Sequence, residues 1–176
     1  HATYEAVVYL LFYGDLPDEE QLAGFKRSLA AEQNVPAPVI DLLRSLPKGA
    51  VPMAALRTAV SALSHFDPEA EDNSLEANFR KAIRLTAQVP VLVAAIGRII
   101  RGQEPIGPKE GLGVAANFLY MLNGEEGTDV AVKTLDTALI LHAEHSLNAS
   151  TFAGRVTVST LSDIYSAATT AVGTLK

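Results

Sequence analysis

Apolar residues recur every three or four positions along almost the whole of this 176-residue chain, and only short stretches of glycine, proline, asparagine and aspartate interrupt them. From Tyr4, the residues Val7, Val8, Leu11 and Phe12 line one helical face, with Thr3 placed to cap the start and Gly14 and Pro17 ending the run. Asp18 opens a second run through Leu22, Phe25 and Leu29, with Glu19 and Glu20 near its positive end. Pro36 and Pro38 start a third, which continues through Leu46 and closes at Pro47. Pro52, at a position where a first turn tolerates proline, leads a fourth through Leu63. Asn73 or Ser74 caps a long fifth segment to about Gly102, which Pro90 should kink by removing one backbone donor. A sixth covers about Pro108 to Leu122, and a seventh runs from Thr128 or Asp129 to His145. The last two run from Asn148 to about Thr160 and from Ser162 to the end. No sustained period-2 alternation competes with these nine segments, so the expected fold is all-α, a multi-helical assembly in one unit.

Small residues crowd the last third: Ala149, Ser150, Ala153 and Gly154, then Ser166, Ala167, Ala168 and Gly173. Helices that are small and mild on all sides are expected inside a multilayer helical domain rather than spread over its surface. The absence of cysteine removes disulfide frameworks, thiolate metal sites and thiol nucleophiles. A net charge of −6 argues against a nucleic-acid duplex or an anionic membrane as the main partner. No charge-free stretch reaches the ~18–20 apolar residues of a spanning helix, and no signal-type opening precedes the first run. An anionic ligand must therefore be held by local donors, against the overall field.

Chemistry-bearing motifs are few. No HExxH, Walker A loop or GxSxG occurs, and the glycines between Gly107 and Gly113 follow no strand and form a connector. His142, Glu144 and His145 match no metal-ligand pattern well, because only the two histidines share a helix face. The stretch His142-Ala143-Glu144-His145-Ser146-Leu147-Asn148-Ala149-Ser150 is different. Two histidines are expected in the last turn of one helix, and Asn148 caps the next, whose first N–H groups are free donors. Such a corner suits a small carboxylate. The bland alternative stands beside it with equal weight: His142 satisfies a neighbouring carbonyl in the core and Asn148 is only a cap. Arg155, on the face of Asn148, suits an anion or a glutamate equally. Ser162 and Asp163 read as ordinary helix-start residues, Asp163 and Tyr165 as structural, and Glu69, Glu71 and Asp72 as a solvated turn.

Leu141-His142-Ala143-Glu144-His145-Ser146-Leu147-Asn148-Ala149-Ser150-Thr151 resembles the HxxHxxNAS stretch of bacterial citrate synthases. Leu161-Ser162-Asp163-Ile164-Tyr165-Ser166-Ala167 and Ala171-Val172-Gly173-Thr174-Leu175-Lys176 look like the family's next helix. Further likeness runs through Ala116-Asn117-Phe118-Leu119-Tyr120-Met121-Leu122, through Pro52-Met53-Ala54-Ala55-Leu56-Arg57-Thr58-Ala59-Val60, and through Val7-Val8-Tyr9-Leu10-Leu11-Phe12-Tyr13-Gly14-Asp15-Leu16-Pro17. Val51 departs from it, since the family commonly has histidine before Pro-Met.

The resemblance implies the helical large domain of a homodimeric enzyme that condenses acetyl-CoA with oxaloacetate to citrate and CoA, with no cofactor. It implies His145 as an oxaloacetate-binding residue, Asn148 as its neighbour at the substrate and His142 as a supporting residue. Helices starting near Pro52 and Ser74 would form the dimer interface. The family's enol-stabilising histidine, in a Gly-Pro-x-His-Gly-Gly stretch, and its catalytic aspartate match nothing here. Residues 1–176 are thus expected to be an internal part of the large domain, without catalytic residues and inactive alone. A 2-methylcitrate synthase using propionyl-CoA is the alternative within the family, and a non-catalytic helical interaction module the alternative outside it. The pattern suggests a bacterial or archaeal cytoplasmic form.

Overall fold

The computed structural model describes residues 2–175, and His1 and Lys176 lie outside the described residues. Among them are nine α-helices and no strand: α1 Tyr4–Tyr13, α2 Glu19–Ala31, α3 Ala37–Ser45, α4 Pro52–Leu63, α5 Leu75–Ile100, α6 Val114–Asn123, α7 Asp129–His142, α8 Ala149–Ser159 and α9 Ile164–Thr174. A single 3₁₀ turn, Ser64–Phe66, follows α4. The all-α expectation holds segment by segment.

Local chemistry explains most boundaries. Asp18 makes a full capping box with Gln21, and Ser74, Thr128, Asn148 and Asp163 each accept a backbone N–H of their own first turn. Thr3 does not: it precedes α1 without a side-chain cap bond, and its hydroxyl is buried without a partner. The long helix α5 stays helical through Pro90 because Ala87, Val91, Leu92 and Ala94 on either side are locked into the core. Its most apolar stretch has a mean hydropathy of 1.6 over a length that would cross a membrane, contrary to the expectation that no segment would qualify. Here it is the central strut, packed by α2, α3, α4, α6 and α9, with Lys81 and Gln88 buried on it.

The sixth helix starts later than its proline suggests, at Val114 rather than near Pro108. Buried Asn117 binds back to the preceding segment, accepting from the Lys109 N–H at 2.9 Å and donating to the Lys109 carbonyl at 3.0 Å. This holds the connector non-helical. Glu5, buried on α1, accepts the Val114 N–H at 2.9 Å and so closes the helix start from across the fold. Gly113 is needed there, since a Cβ would sit 2.8 Å from Glu5 Oε1.

Two main core clusters result. Val39, Leu43, Ala59, Val60, Leu63, Leu92 and Tyr165 join α3, α4, α5 and α9, and Val8, Phe25, Leu29, Ala87 and Val114 join α1, α2, α5 and α6. The hairpin of α8 and α9 is attached asymmetrically. α9 packs on α4 and α5, whereas α8 packs substantially on α9 alone and buries none of its residues.

Candidate functional site

The corner between α7 and α8 is where the sequence concentrates donors, and the structure opens it onto an open cleft of about 1160 Å³. Its walls come from α5, α8, α9 and the corner itself, with Leu85, Thr86 and Ala168 facing His142, His145, Asn148 and Arg155. All three sequence-derived site residues therefore line one cavity, together with Arg155. His142 and His145 are exposed and Asn148 is half-buried, so none of them is sealed in the core.

One expectation about local structure is corrected. His145 does not lie in the last turn of a helix, because α7 ends at His142. The Ala143 N–H closes a tight final turn on the Ile140 carbonyl at 3.2 Å. Ser146 then takes a left-handed conformation, φ 55°, with its N–H held by the Glu144 side chain. His145 is thus carried on a turn, with its ring making no hydrogen bond among the described residues. The equal-weight alternative for His142 is half right. Its Nδ1 lies 2.7 Å from the Ala138 carbonyl and so donates to it, but on the surface rather than in the core. That bond leaves Nε2 as the free ring nitrogen.

Asn148 caps α8 as expected, its Oδ1 accepting the Thr151 N–H at 2.9 Å. Its side-chain nitrogen makes no hydrogen bond among the described residues, and the N–H groups of Ala149 and Ser150 have no backbone acceptor there. The site end of α8 therefore offers free donors reinforced by the helix dipole. Arg155 lies two turns further along the same face and pairs with no carboxylate among the described residues. Among the described residues no aspartate or glutamate lines the cleft, although the chain carries a net charge of −6. The chemistry on offer is anion binding, by two imidazoles, an amide, a guanidinium and a helix N-terminus. No group of three metal-ligating side chains occurs among the described residues.

Asn148 both caps and faces the cleft, and substitution separates the two roles. Asn148→Ala is expected to cost about 1 kcal/mol of stability through the lost cap, whereas Asn148→Ser keeps the cap and the melting temperature. Both variants should lose affinity for an anionic ligand, which thermal denaturation and calorimetric titration check side by side.

Sequence reasoning missed a charged network behind the cleft. Glu71 and Asp72 are exposed as the turn reading expects, but Asp67, just before them, has a side chain 2% exposed that meets Arg84 of α5 at 2.5 Å. The hydroxyl of Tyr165, buried at the start of α9, donates to the same carboxylate at 2.5 Å. Arg84 also reaches Glu32 at 2.8 Å, and Glu69 pairs with Arg80. Tyr165 is structural as expected, and its role is to hold Asp67. The available signal was Arg84 itself, a cation among the apolar residues Ile83, Leu85 and Ala87 of the long fifth segment.

Comparison with known proteins agrees with the fold. The family profile described as citrate synthase, C-terminal domain, matches residues 1–176. Citrate synthase 2 of Bacillus subtilis strain 168 is 52% identical, over all of this chain and 48% of that protein. A 2-methylcitrate synthase of Mycobacterium tuberculosis H37Rv is 45% identical, over 99% of this chain and 44% of that one. Among solved structures, the ternary complex of Thermoplasma acidophilum citrate synthase with carboxymethyl coenzyme A and oxaloacetate superposes with a TM-score of 0.94 at 31% identity, over 99% of this chain and 46% of that one. The chain spans about half the length of the curated relatives it matches. A profile match across the full 176 residues and a fold match of this quality place the chain in one family: it belongs to the citrate synthases.

Proposed function

We propose that this chain builds one wall of the oxaloacetate site of an enzyme that condenses acetyl-CoA with oxaloacetate to give citrate and free CoA. The observation that carries this reading is the carboxylate-free cleft lined by His142, His145, Asn148 and Arg155 in an otherwise acidic chain. A keto diacid needs hydrogen-bond donors on its two carboxylates and at its ketone oxygen, and the Asn148 amide, the Arg155 guanidinium, the first N–H groups of α8 and a ring N–H of His145 are such donors. His145, with both ring nitrogens free, binds the keto acid directly. Asn148 presents its amide nitrogen beside the first N–H groups of α8. His142 supports the corner through Nε2 while its Nδ1 stays on the Ala138 carbonyl.

General-base chemistry does not come from these groups. The family resemblance assigns removal of the thioester's methyl proton to an aspartate, and the cleft lining among the described residues holds none. The role of this wall is therefore to bind and orient the electrophile, with acetyl-CoA entering as a substrate and no cofactor or metal required. The bound complex of the Thermoplasma relative with oxaloacetate and a coenzyme A derivative supports the same ligand pair. Oxaloacetate-dependent release of free thiol from acetyl-CoA by the intact protein is the expected activity. No thiol release at saturating oxaloacetate would overturn it.

Propionyl-CoA is the alternative acyl donor, favoured by the likeness to the mycobacterial 2-methylcitrate synthase. One methylene is worth only about 1–3 kcal/mol in an apolar pocket, so relative kcat/KM for the two thioesters decides between them. A homodimer through α4 and α5 belongs to the same proposal. It is supported by Val51 and Leu75, large apolar residues 63% and 77% exposed at the starts of those helices. A cytoplasmic location in a bacterium or archaeon completes it, supported by the organisms of the relatives.

A further inference from the structure

The α8–α9 hairpin carries the ligand groups at one end and is gripped at the other. Its site end holds Asn148, at the start of α8. Its far end, where Thr160 to Asp163 turn the chain, meets the loop of residues 67–74 that connects α4 to α5. Asn73 Nδ2 donates to the Leu161 carbonyl at 3.0 Å, and Asp67 accepts the Tyr165 hydroxyl at 2.5 Å. Leu161 is held in a left-handed conformation, φ 65°, with its side chain 83% exposed. A leucine persists there only where its surroundings impose the backbone, and the bond from Asn73 falls on this very residue.

The gripping loop is itself fixed. Lys81 of α5, fully buried, spends its ammonium on two loop carbonyls, those of Ala70 at 3.1 Å and Asp72 at 2.7 Å. Asn78 donates to the Asn73 carbonyl at 3.1 Å, the Asp72 carboxylate accepts the Ser74 N–H at 2.8 Å, and Asp67 accepts the Glu69 N–H at 2.9 Å. A buried lysine without a carboxylate contact is a costly way to pin a loop, which makes the loop's shape the thing being secured. The grip reaches α8 through α9. Gly154 allows α8 to approach until a Cβ there would lie 3.6 Å from the Ala167 carbonyl, and α8 has no other substantial helical neighbour.

We infer that Asp67 and Asn73 act as a remote positioning clamp on the α8–α9 corner, setting where Asn148 and Arg155 stand in the keto-acid cleft. At 1.5 Å per residue α8 is a lever about 16 Å long, so a tilt of roughly 4° at the clamped end moves its site end by about 1 Å. A displacement on that scale stretches a hydrogen bond of about 2.9 Å beyond bonding distance and so weakens ground-state binding. Asp67 and Asn73 touch no ligand. They act through α8.

The clamp rests on the proposed oxaloacetate site, and its test separates the two. Steady-state kinetics of the intact protein are compared for the wild type, Asn73→Ala and Tyr165→Phe, with Leu29→Ala as a control. Leu29 is buried in the other core cluster, so its loss lowers the melting temperature without touching the hairpin. Both clamp variants should raise KM for oxaloacetate about 5-fold or more while kcat stays within about twofold, the pattern of lost ground-state placement. Leu29→Ala should leave that KM unchanged. An active wild type with clamp variants inside twofold of its KM overturns the clamp and spares the site, as does a Leu29→Ala variant whose KM rises as much. A wild type that shows no oxaloacetate-dependent turnover overturns both.

Discussion

Arg84→Met is expected to cost about 4 kcal/mol and to lower the melting temperature by roughly 10 °C. Arg84 is the cation between Asp67, Glu32 and Glu69. Methionine keeps much of the side-chain volume, so the loss measures charge rather than packing. Burial alone would push the Asp67 carboxyl up, but the bonds from the Tyr165 hydroxyl, the Glu69 N–H and Arg84 outweigh it and hold the carboxyl below its ordinary value. Burial likewise opposes the charge on Arg84, and Glu32 and Asp67 more than offset it. Burial and the adjacent Asp67 carboxylate together push the Tyr165 hydroxyl up, so it stays a donor. Without Arg84 the carboxylate stays buried with only the Tyr165 hydroxyl and the Glu69 N–H as partners, and no cation. Exposed pairs such as Arg44 with Asp41 and Glu104 contribute little by comparison.

The same depressed carboxyl fixes a pH dependence. A group whose folded pKa lies below its unfolded value stabilises fully above that unfolded value, about 3.9 for aspartate, and the contribution fades as pH falls through the folded pKa. The melting temperature of the wild type should therefore exceed that of Asp67→Asn most at neutral pH. The gap should narrow steadily below about pH 4. A gap that widens on acidification would mean that Asp67 is protonated in the native state.

His145→Ala carries the second large expectation: affinity for oxaloacetate falls by about 10- to 100-fold. That is the range spanned by one or two hydrogen bonds to a charged ligand, at about 1.5–3 kcal/mol in total. Stability should not change, because the His145 ring is exposed and makes no hydrogen bond to the rest of the described chain. His142→Ala should weaken binding less, since one ring nitrogen already serves the Ala138 carbonyl. Calorimetric titration and thermal denaturation of the same preparations check both halves. An unchanged affinity for His145→Ala would return this histidine to a surface position without function.

Helix count and order could be read from the sequence because each connection carries its own local chemistry. Asp18, Asn148 and Asp163 announce starts that depend on nothing beyond the next three residues. Where the deciding contact is distant, the reading slipped. The start of α6 is set by Glu5, 109 positions away, and Tyr165 finds Asp67 across 98 positions. Neither pairing leaves a trace in a 3.6-residue period. The candidate site was legible as a motif, since histidines and an asparagine-led helix start lie within seven residues. Its exact carrier was not, because a left-handed Ser146 ends α7 at His142, and nothing in the apolar pattern foretells a left-handed serine. The absence of carboxylates from the cleft arises only when α5, α8 and α9 are brought together.

The central claim is that the α7–α8 corner is a wall of a keto-diacid pocket, and a crystal structure of the intact protein with bound oxaloacetate tests it most directly. The expected result is a ligand carboxylate or ketone oxygen within about 3 Å of the His145 ring and of the Asn148 amide or the first N–H groups of α8. Oxaloacetate bound elsewhere, with His145 and Asn148 facing only water, would contradict it.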